Sequence, residues 1–550
     1  MKKPLALLIA MVLLLAQGAL AAVSPEGTFP IVSEPITLRV MVPNQSNVED
    51  ITTNDFTLYY EQLTGIHIEW IVVPEESRLE KVNISLSSGD LPDVYLACSI
   101  TQTQQLVYGA QGAFVALNPY IEKYGSLFQE IMKRVPNCKE VLTMSDGNIY
   151  ALPRIEQCPH CEGSNKMWVN RVWLETLGLN PPTTINEFYD MLVAFKTGDP
   201  NGNGIADEIP LLTYEGGWNS TPISGYLTNP FVYTATPGYL DNGNIVIPYL
   251  QEGWKEAMVW LNKLYKEGLY YDQSLVLNLD QAVQVAKSGA DGVYVVGAFP
   301  NGVPSSVPGP SLSEWVDYVC IPALAGPAGQ YATWGAYSSI DPTAFVMTSV
   351  CEYPDAAFRW GVEPYENDLT YRKSFGVEGI NWGRVVPGQD GVPEDAVDIR
   401  TGTPAQVEVC SPRYDGIVWS DRQNFCWRHV GVRCDTGAFI ENRYAQYIVG
   451  DYDTDMEYRL AYDTRDTMQP YYPPIDMIVP PLVYTEEQAM ELANIEVVVT
   501  AYRDEMAARF ITGDVDVEQE WDSYLTEMDA KGATRLRELY QAAYDAKYRQ

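Results

Sequence analysis

Alternating apolar and polar side chains mark the first predicted elements of this chain. Between residues 36 and 42 every second side chain is isoleucine, leucine or valine, which predicts a strand with one buried face. The same alternation recurs at 66–72, and a shorter apolar run follows at 91–96. A helix with one aromatic face is predicted over 54–64, with Gly65 as its stop. Strand, helix and strand in succession indicate an α/β fold with crossover connections.

Helical spacing dominates after residue 160. At 257–264 the apolar residues fall at i, i+3, i+4 and i+7, which predicts an amphipathic helix that ends at Gly268. The same spacing recurs at 536–544. Stretches rich in proline and glycine interrupt the pattern at 299–310, 323–330 and 386–393. Two lobes, with the chain crossing between them more than once, fit this organisation best.

The first 21 residues have the features of a secretory signal peptide. Two lysines precede an apolar run at 5–16, and an Ala-Leu-Ala triplet at 19–21 has the spacing that signal peptidase reads. The apolar run is shorter than the ~20 residues that a membrane-spanning helix needs. We therefore expect an exported protein, cleaved after residue 21, with a flexible leader at 22–35. An uncleaved membrane anchor is the alternative.

Composition and charge restrict the classes of function. Hydrophobic residues make up 46% of the 550-residue chain and charged residues 20%, as in ordinary globular proteins of more than one domain. Asp and Glu number 72 against 36 Lys and Arg, a formal charge of −36. So large a negative charge repels phosphate backbones and anionic lipids, which argues against binding to nucleic acid or to a lipid surface. The negative charge does not argue against an uncharged ligand.

Nine cysteines are too few and too scattered to build a disulfide scaffold, and an odd number leaves at least one unpaired. A Cys-Pro-His-Cys run at 158–161 has the sequence of thiol oxidants, but the loop predicted after it weighs against redox catalysis. Local disulfides and plain thiols are alternatives. A zinc site is a further alternative, with the ligands Cys158, Cys161, Cys426, His429 and Cys434.

The strongest motif is the loop Asp-Pro-Asn-Gly-Asn-Gly-Ile-Ala-Asp-Glu at 199–208. Oxygen-bearing side chains at its first, third and fifth positions precede a glycine at the sixth, as in the first half of an EF-hand calcium loop. The glutamate that closes a full EF-hand is missing, and a solvated Asx turn is the alternative. We expect a structural Ca²⁺ site. Its predicted ligands are the side chains of Asp199, Asn201, Asn203, Asp207 and Glu208 and the backbone carbonyl of Ile205.

Several segments together carry a family resemblance. They are 147–153 (GNIYALP), 168–179 (WVNRVWLETLGL), 182–188 (PTTINEF), 199–208, 376–382 (GVEGINW), 510–513 (FITG) and 521–524 (WDSY). In this order they resemble the extracellular solute-binding proteins of ABC importers, family 1, the oligosaccharide-type group. The resemblance spans most of the chain from residue 36 to residue 548. In alginate-binding members the loop that matches 199–208 holds Ca²⁺, which supports the predicted site.

The resemblance implies an α/β fold of the periplasmic-binding-protein type. Its two lobes would be joined by hinge strands and would hold the ligand in a cleft between them, and closure would be driven by ligand contacts with both lobes. The first lobe would comprise residues 36–151 and 322–366, with a crossover near 318–322. The second would comprise 152–321 and 367–550.

The resemblance also implies a non-catalytic receptor. It would be a monomer that captures a carbohydrate, in the first place an oligosaccharide, and delivers it to the permease subunits of an ABC transporter. Two departures stand out: the first cysteine is Cys98, so the lipid anchor usual in Gram-positive members has no attachment point, and Val172 replaces an acid of the family pattern. A secreted carbohydrate-active enzyme with a carboxylate pair is the alternative.

Aromatic residues, 12% of the chain, supply candidates for sugar binding because aromatic faces cover the C–H patches of sugar rings. The best candidates are residues in loop-like or polar settings. The predicted ligand-binding residues are Asp93, Trp168, Trp218, Trp334, Trp382 and Arg384. For each tryptophan a place in the core is the alternative, because tryptophan is highly buried on average.

Overall fold

The chain divides into two compact units. The computed structural model describes residues 22–549 except 46, 157, 217, 219–220, 290–292, 310, 338, 399–400, 410, 412, 416–421, 436–445 and 448–451. The predicted signal peptide lies outside the described residues. Unit 1 comprises Met1–Ile155, Asp341–Gly383 and Tyr414–Phe439. Unit 2 comprises Glu156–Ile340, Arg384–Arg413 and Ile440–Gln550.

Unit 1 is built on a six-stranded mixed sheet. Its strands, in sheet order, are Arg433–Asp435, Ala151–Glu156, Ile340–Met347, Val94–Leu96, Ile36–Asn44 and Ile66–Pro74. The two strands predicted from alternation are parallel neighbours, with Ile36 opposite Ile66. Leu38, Val40 and Val42 are completely buried, so the apolar face of the first strand lies in the core. The predicted α/β organisation is confirmed for this unit.

Helices connect these strands and cover them. The helix predicted between the first two strands spans Asp55–Thr64, and the side chain of Asn54 caps it by accepting the N–H of Phe56. Gly65 ends it in the left-handed conformation, at φ 75°, as predicted. The other helices of unit 1 are Arg78–Ser88, Gln102–Ala110, Asn118–Tyr124, Ser126–Arg134, Cys138–Leu142, Pro354–Val362 and Asn367–Phe375, with 3₁₀ turns at Glu75–Ser77 and Glu363–Tyr365.

Unit 2 contains a four-stranded sheet in the order Tyr318–Ile321, Lys166–Asn170, Val296–Asn301 and Ile209–Leu211. Cys320 and Phe299 lie opposite Trp168 on its two sides. This pairing explains why the predicted crossover at 318–322 differs from the structure. Because Tyr318–Ile321 is paired inside the sheet of unit 2, the unit continues to Ile340. Residues 367–383 likewise fall in unit 1 rather than in the second predicted lobe.

Long helices supply most of the core of unit 2. The predicted amphipathic helix spans Glu252–Lys266, and its Leu261 packs in one cluster with Phe510 and Trp521. The helices are Pro159–Glu162, Arg171–Leu177, Ile185–Thr197, Gly225–Thr228, Glu252–Lys266, Leu279–Ala286, Leu312–Trp315, Met456–Asp463, Glu486–Thr512, Val517–Ala530 and Ala533–Tyr548, with 3₁₀ turns at Pro248–Leu250, Gln469–Tyr471 and Ile475–Met477 and a π turn at Thr464–Met468. Among the described residues, no helix is both long and apolar enough to cross a membrane.

Short strands complete the fold. Tyr239–Asp241 and Asn244–Val246 form one hairpin, and Ala325–Gly326 and Gly329–Gln330 form another. A small three-stranded sheet contains Gly383–Arg384, Val407–Glu408 and Gln446–Tyr447. The second hairpin ends at Gln330, shortly before the predicted ligand-binding residue Trp334.

Candidate functional site

The clearest surface for a sugar is a pair of stacked rings in unit 2. Trp334 and Tyr472 lie nearly parallel, with ring centroids 5.0 Å apart and 9° between their planes. Both side chains are half-buried, so part of each remains accessible. A flat, partly exposed aromatic surface can cover the C–H face of a sugar ring. We call this pair the aromatic platform.

Hydrogen bonds fix Trp334 from two sides. Its backbone N–H donates to the hydroxyl of Tyr233 at 3.3 Å, and its indole Nε1–H donates to Oε2 of Glu162 at 3.4 Å. The next residue, Gly335, donates its N–H to the backbone carbonyl of Glu162 at 2.8 Å. Glu162 therefore holds this segment through its main chain and its side chain together.

Trp218, another of the predicted ligand-binding residues, packs against the short helix Pro159–Glu162, to which Glu162 belongs. It lies half-buried in a bend, as its sequence setting predicted, and its carbonyl accepts the N–H of Gly302 at 2.8 Å. The ring of His160 approaches it edge to face, with centroids 5.8 Å apart and an angle of 80°. Because His160 and Glu162 both belong to the four-residue helix Pro159–Glu162, one helix contacts Trp218 and Trp334.

Burial controls the charges around the platform. Burial raises the pKa of Glu162, and the hydrogen bond from Trp334 opposes that shift. Burial, with a contribution from the Lys166 ammonium, lowers the pKa of His160 to about 3, so the imidazole is neutral at physiological pH. Lys166 is completely buried, and its ammonium donates to the carbonyls of His160 and Gly163 at 3.1 and 2.6 Å. This cation thus binds the backbone of the loop.

The arrangement suits binding better than chemistry. The aromatic platform offers an apolar face, and the carboxylate of Glu162 at its edge can accept a hydroxyl hydrogen. A neutral imidazole with a strongly lowered pKa is a poor proton donor near pH 7. The aromatic platform and the carboxylate of Glu162 can therefore orient a neutral polyol.

Trp168 and Trp382 lie in the cores of their units, which is the alternative that the sequence left open for each tryptophan. Trp168 has no exposed surface, and its indole N–H donates to the carbonyl of Asn301 at 2.9 Å. Trp382 is 2% exposed and donates to the carbonyl of Gly376 at 3.0 Å. Neither ring has a free face on which a sugar could stack.

A phenylalanine at position 168 tests this core assignment. Trp168→Phe removes the donor to the Asn301 carbonyl and leaves a small void, so we expect a loss of about 1–2 kcal/mol in the free energy of unfolding. Chemical denaturation measures this loss, and sugar affinity of the folded variant should stay unchanged. Weaker sugar binding at unchanged stability would contradict the assignment.

The two polar candidates, Asp93 and Arg384, belong to different units. Asp93 precedes the strand Val94–Leu96 in unit 1, where its carboxylate accepts the backbone N–H of Arg39 at 2.8 Å and its own N–H donates to the Arg39 carbonyl at 2.9 Å. It therefore bridges two neighbouring strands. Arg384 is exposed on the small sheet of unit 2.

The predicted calcium loop folds as a series of Asx turns. The N–H of Gly204 donates to the Asp199 carboxylate, 3.1 Å from Oδ2. The N–H of Asn203 donates to Oδ1 of Asn201 at 3.1 Å, and the N–H of Ile205 donates to Oδ1 of Asn203 at 2.7 Å. These bonds hold the oxygen-bearing side chains of the first, third and fifth loop positions against the loop backbone.

Asp207 accepts hydrogen bonds from the side-chain amides of the same loop. The Nδ2 groups of Asn201 and Asn203 donate to its Oδ1 at 3.0 and 3.1 Å. Its N–H donates to the Ile205 carbonyl at 2.9 Å, which leaves that carbonyl a second lone pair. The six predicted ligand residues thus form one connected loop.

Glu208 supplies the observation that favours a cation in this loop. Its Oε1 is buried and has no hydrogen-bond partner in the described part of the chain. Burial raises its pKa, and the charges of Asp207 and Asp199 raise it further. Three carboxylates that repel one another, one with an unsatisfied buried oxygen, fit a hard divalent cation.

The Cys-Pro-His-Cys run forms a disulfide between Cys158 and Cys161. Of the alternatives for these two residues, the local disulfide is therefore the one found, and their sulfurs are not available as zinc thiolates. Cys426 and Cys434 are both buried in unit 1. The helix after Cys158 includes Glu162, which corrects the prediction that this residue lies in a loop.

The family of the chain follows from sequence comparison. A family model of bacterial extracellular solute-binding proteins matches residues 44–360. The chain belongs to this family. Its members are solute-binding proteins rather than enzymes.

Two relatives of this solute-binding protein cover nearly the whole chain. The fructooligosaccharide ABC transporter substrate-binding protein FusA of Streptococcus pneumoniae is 27% identical over 534 residues, 94% of this chain and 91% of FusA. FusA in complex with kestose has a TM-score of 0.76 at 22% identity, over 93% of this chain and 99% of that one. FusA has also been solved as an EF-hand mutant with fructo-nystose. An HMO-binding, ABC-transporter-associated solute-binding protein of Bifidobacterium longum infantis has a TM-score of 0.73 at 20% identity, over 93% and 99% of the chains. These likenesses confirm the predicted fold class.

Sequence reasoning missed three residues of this solute-binding protein's candidate site: Tyr472, Glu162 and His160. Tyr472 follows another tyrosine and precedes two prolines, an aromatic run in an irregular segment that was a usable signal. Glu162 and His160 lie in or next to the Cys-Pro-His-Cys run, whose sequence points to cysteine chemistry. Their contacts with Trp334 and Trp218 join positions far apart in the chain and carry no local sequence signal.

Proposed function

We propose that this protein is an exported receptor that binds an uncharged oligosaccharide and delivers it to an ABC importer. The aromatic platform of Trp334 and Tyr472 is the observation that carries the proposal, because stacked and partly exposed rings are a surface that sugars recognise. Family membership and the relation to FusA over 94% of the chain support the transport role.

The charge of the site favours a neutral ligand. The carboxylate of Glu162 borders Trp334, and the nearby ammonium of Lys166 is buried on backbone carbonyls. The whole chain carries a formal charge of −36. An acidic glycan would therefore approach like charges, whereas a neutral one would not.

Location and partners form part of the same proposal. The sequence of residues 1–21 supports export, and the family consists of extracellular proteins. The partner would be the permease subunits of an importer, to which the receptor presents its sugar unchanged.

Calorimetry of the purified, signal-free protein against a glycan panel tests the proposal. The panel contains kestose, other neutral oligosaccharides and a uronate oligomer. We expect one equivalent of a neutral oligosaccharide to bind and to be recovered intact. Binding of none of the panel, preference for the uronate, or sustained release of reducing sugar would contradict it.

We further propose that the loop at 199–208 holds a structural Ca²⁺. The unsatisfied Oε1 of Glu208, the neighbouring carboxylates and the Asx turns support this assignment. The EF-hand named for FusA supports it by analogy. The ion would neutralise the carboxylates and fasten the end of the helix Ile185–Thr197 to the strand Ile209–Leu211. It would take no part in the transfer of sugar.

A further inference from the structure

A single six-residue loop supports every aromatic side chain of the candidate site. We call residues 158–163, closed by the Cys158–Cys161 disulfide, the support loop. Within it the N–H groups of Cys161 and Glu162 both donate to the Cys158 carbonyl, at 2.9 and 3.2 Å. The crosslink and these two bonds leave the loop few ways to move.

Three residues of the support loop contact three aromatic rings. His160 meets Trp218 edge to face, and Glu162 accepts the indole N–H of Trp334. At Gly163 the contact is steric, because a Cβ built there would collide with the hydroxyl of Tyr472. Glycine at this position therefore allows Tyr472 to approach and to lie parallel to Trp334.

Contacts with Lys166 and Glu457 also restrain the support loop. The buried ammonium of Lys166 donates to the carbonyls of His160 and Gly163, one on each side of Cys161. In addition, Nε2 of His160 lies 3.8 Å from a carboxylate oxygen of Glu457. Lys166 and Glu457 thus hold the same loop that contacts the rings.

We propose that the support loop is a positioning element for sugar binding, and that its disulfide keeps Trp334, Tyr472 and Trp218 in the arrangement that binds ligand. Apart from the Glu162 carboxylate at the edge of the aromatic platform, the loop acts on the sugar through the rings that it holds. The loop affects affinity by positioning the rings, and the disulfide between its two cysteines restrains the loop. The part of this inference that concerns affinity rests on the proposed function; the part that concerns ring geometry does not.

The geometric part is tested without ligand. In the full-length mature protein, Cys158→Ser with Cys161→Ser should change the tryptophan band in near-ultraviolet circular dichroism and speed hydrogen exchange at the Gly335 amide at least tenfold. A Trp334→Phe background should reduce the dichroism change, because Trp334 is one of the two indoles that the loop contacts. Cys98→Ser, an exchange at a buried thiol of unit 1, is the matched control and should leave both signals unchanged. Unaltered dichroism and exchange in the double variant would overturn the proposal.

Kestose is the probe for affinity, measured by calorimetry well below the melting temperature. We expect the double serine variant to bind it about three- to tenfold more weakly than the wild type. Gly163→Ala, which keeps the disulfide and displaces Tyr472, should weaken binding by a similar factor and serves if the serine variant fails to fold. Unchanged affinity in both variants would overturn the proposal. If the wild type binds no kestose, the proposed ligand class fails for this sugar and the two ligand-free measurements decide the positioning role.

Discussion

Replacing Trp334 with alanine is expected to weaken oligosaccharide binding about ten- to a hundredfold. The change removes one ring of the aromatic platform and the indole N–H that Glu162 accepts, so Tyr472 and Glu162 lose their fixed partner. Losses of about 1.4–2.8 kcal/mol are typical of central aromatic residues in binding sites. Calorimetry with the tightest ligand of the panel measures the change in affinity.

Trp260→Ala is the matched control for that experiment. Trp260 is also half-buried in unit 2, but it lies on the helix Glu252–Lys266, with its ring centroid 5.6 Å from that of Phe231. Its loss should lower stability and leave affinity for sugar unchanged. Equal affinity of the Trp334→Ala variant and the wild type would show that the aromatic platform does not bind the ligand.

Removal of Ca²⁺ is expected to lower the melting temperature by roughly 5–10 °C. An ion present at a hundred times its Kd stabilises the fold by about 2.7 kcal/mol, and about 2–4 °C per kcal/mol applies to domains of this kind. Without the ion, the carboxylates of Asp199, Asp207 and Glu208 repel one another; burial raises the pKa of Glu208, and the charges of Asp207 and Asp199 raise it further. Calorimetric melting in excess EDTA and after addition of Ca²⁺ measures the shift.

Asp199→Ala should melt at the temperature of the chelated wild type and should not respond to Ca²⁺. Asp241→Ala is the control, since Asp241 is an exposed acid in a hairpin turn of the same unit, outside the calcium loop. It should keep the full response to the ion. Identical melting of the wild type in EDTA and in Ca²⁺ would refute the site.

Elements with local signals could be predicted from sequence. The strand Ile36–Asn44 shows its alternation, and the helix Asp55–Thr64 shows both its asparagine cap and its glycine stop. The loop at 199–208 is local as well, because its Asx turns join residues that lie within ten positions of sequence. In each case the physical cause is contained in a short stretch of chain, so the pattern predicts the structure.

Features that depend on distant partners could not be predicted. Trp168 lies in Lys166–Asn170, a strand whose five residues are all buried, so no alternation marks which of its faces is enclosed. The unit boundary near Ile340 depends on the pairing of Cys320 with Trp168, which are far apart in sequence. The stacking of Trp334 on Tyr472 is non-local in the same way.

The order of strands in the sheet of unit 1 constrains how the protein matures. Its edge strand Arg433–Asp435 lies beside Ala151–Glu156, and the other four strands come from earlier in the chain than residue 350. Under the proposed export from the N-terminus, the sheet would stay incomplete until residue 435 has emerged from the translocation channel. Until then its unpaired backbone edge is open to proteases and to other nascent chains. A helper that shields emerging polypeptide outside the membrane would raise the yield of this protein.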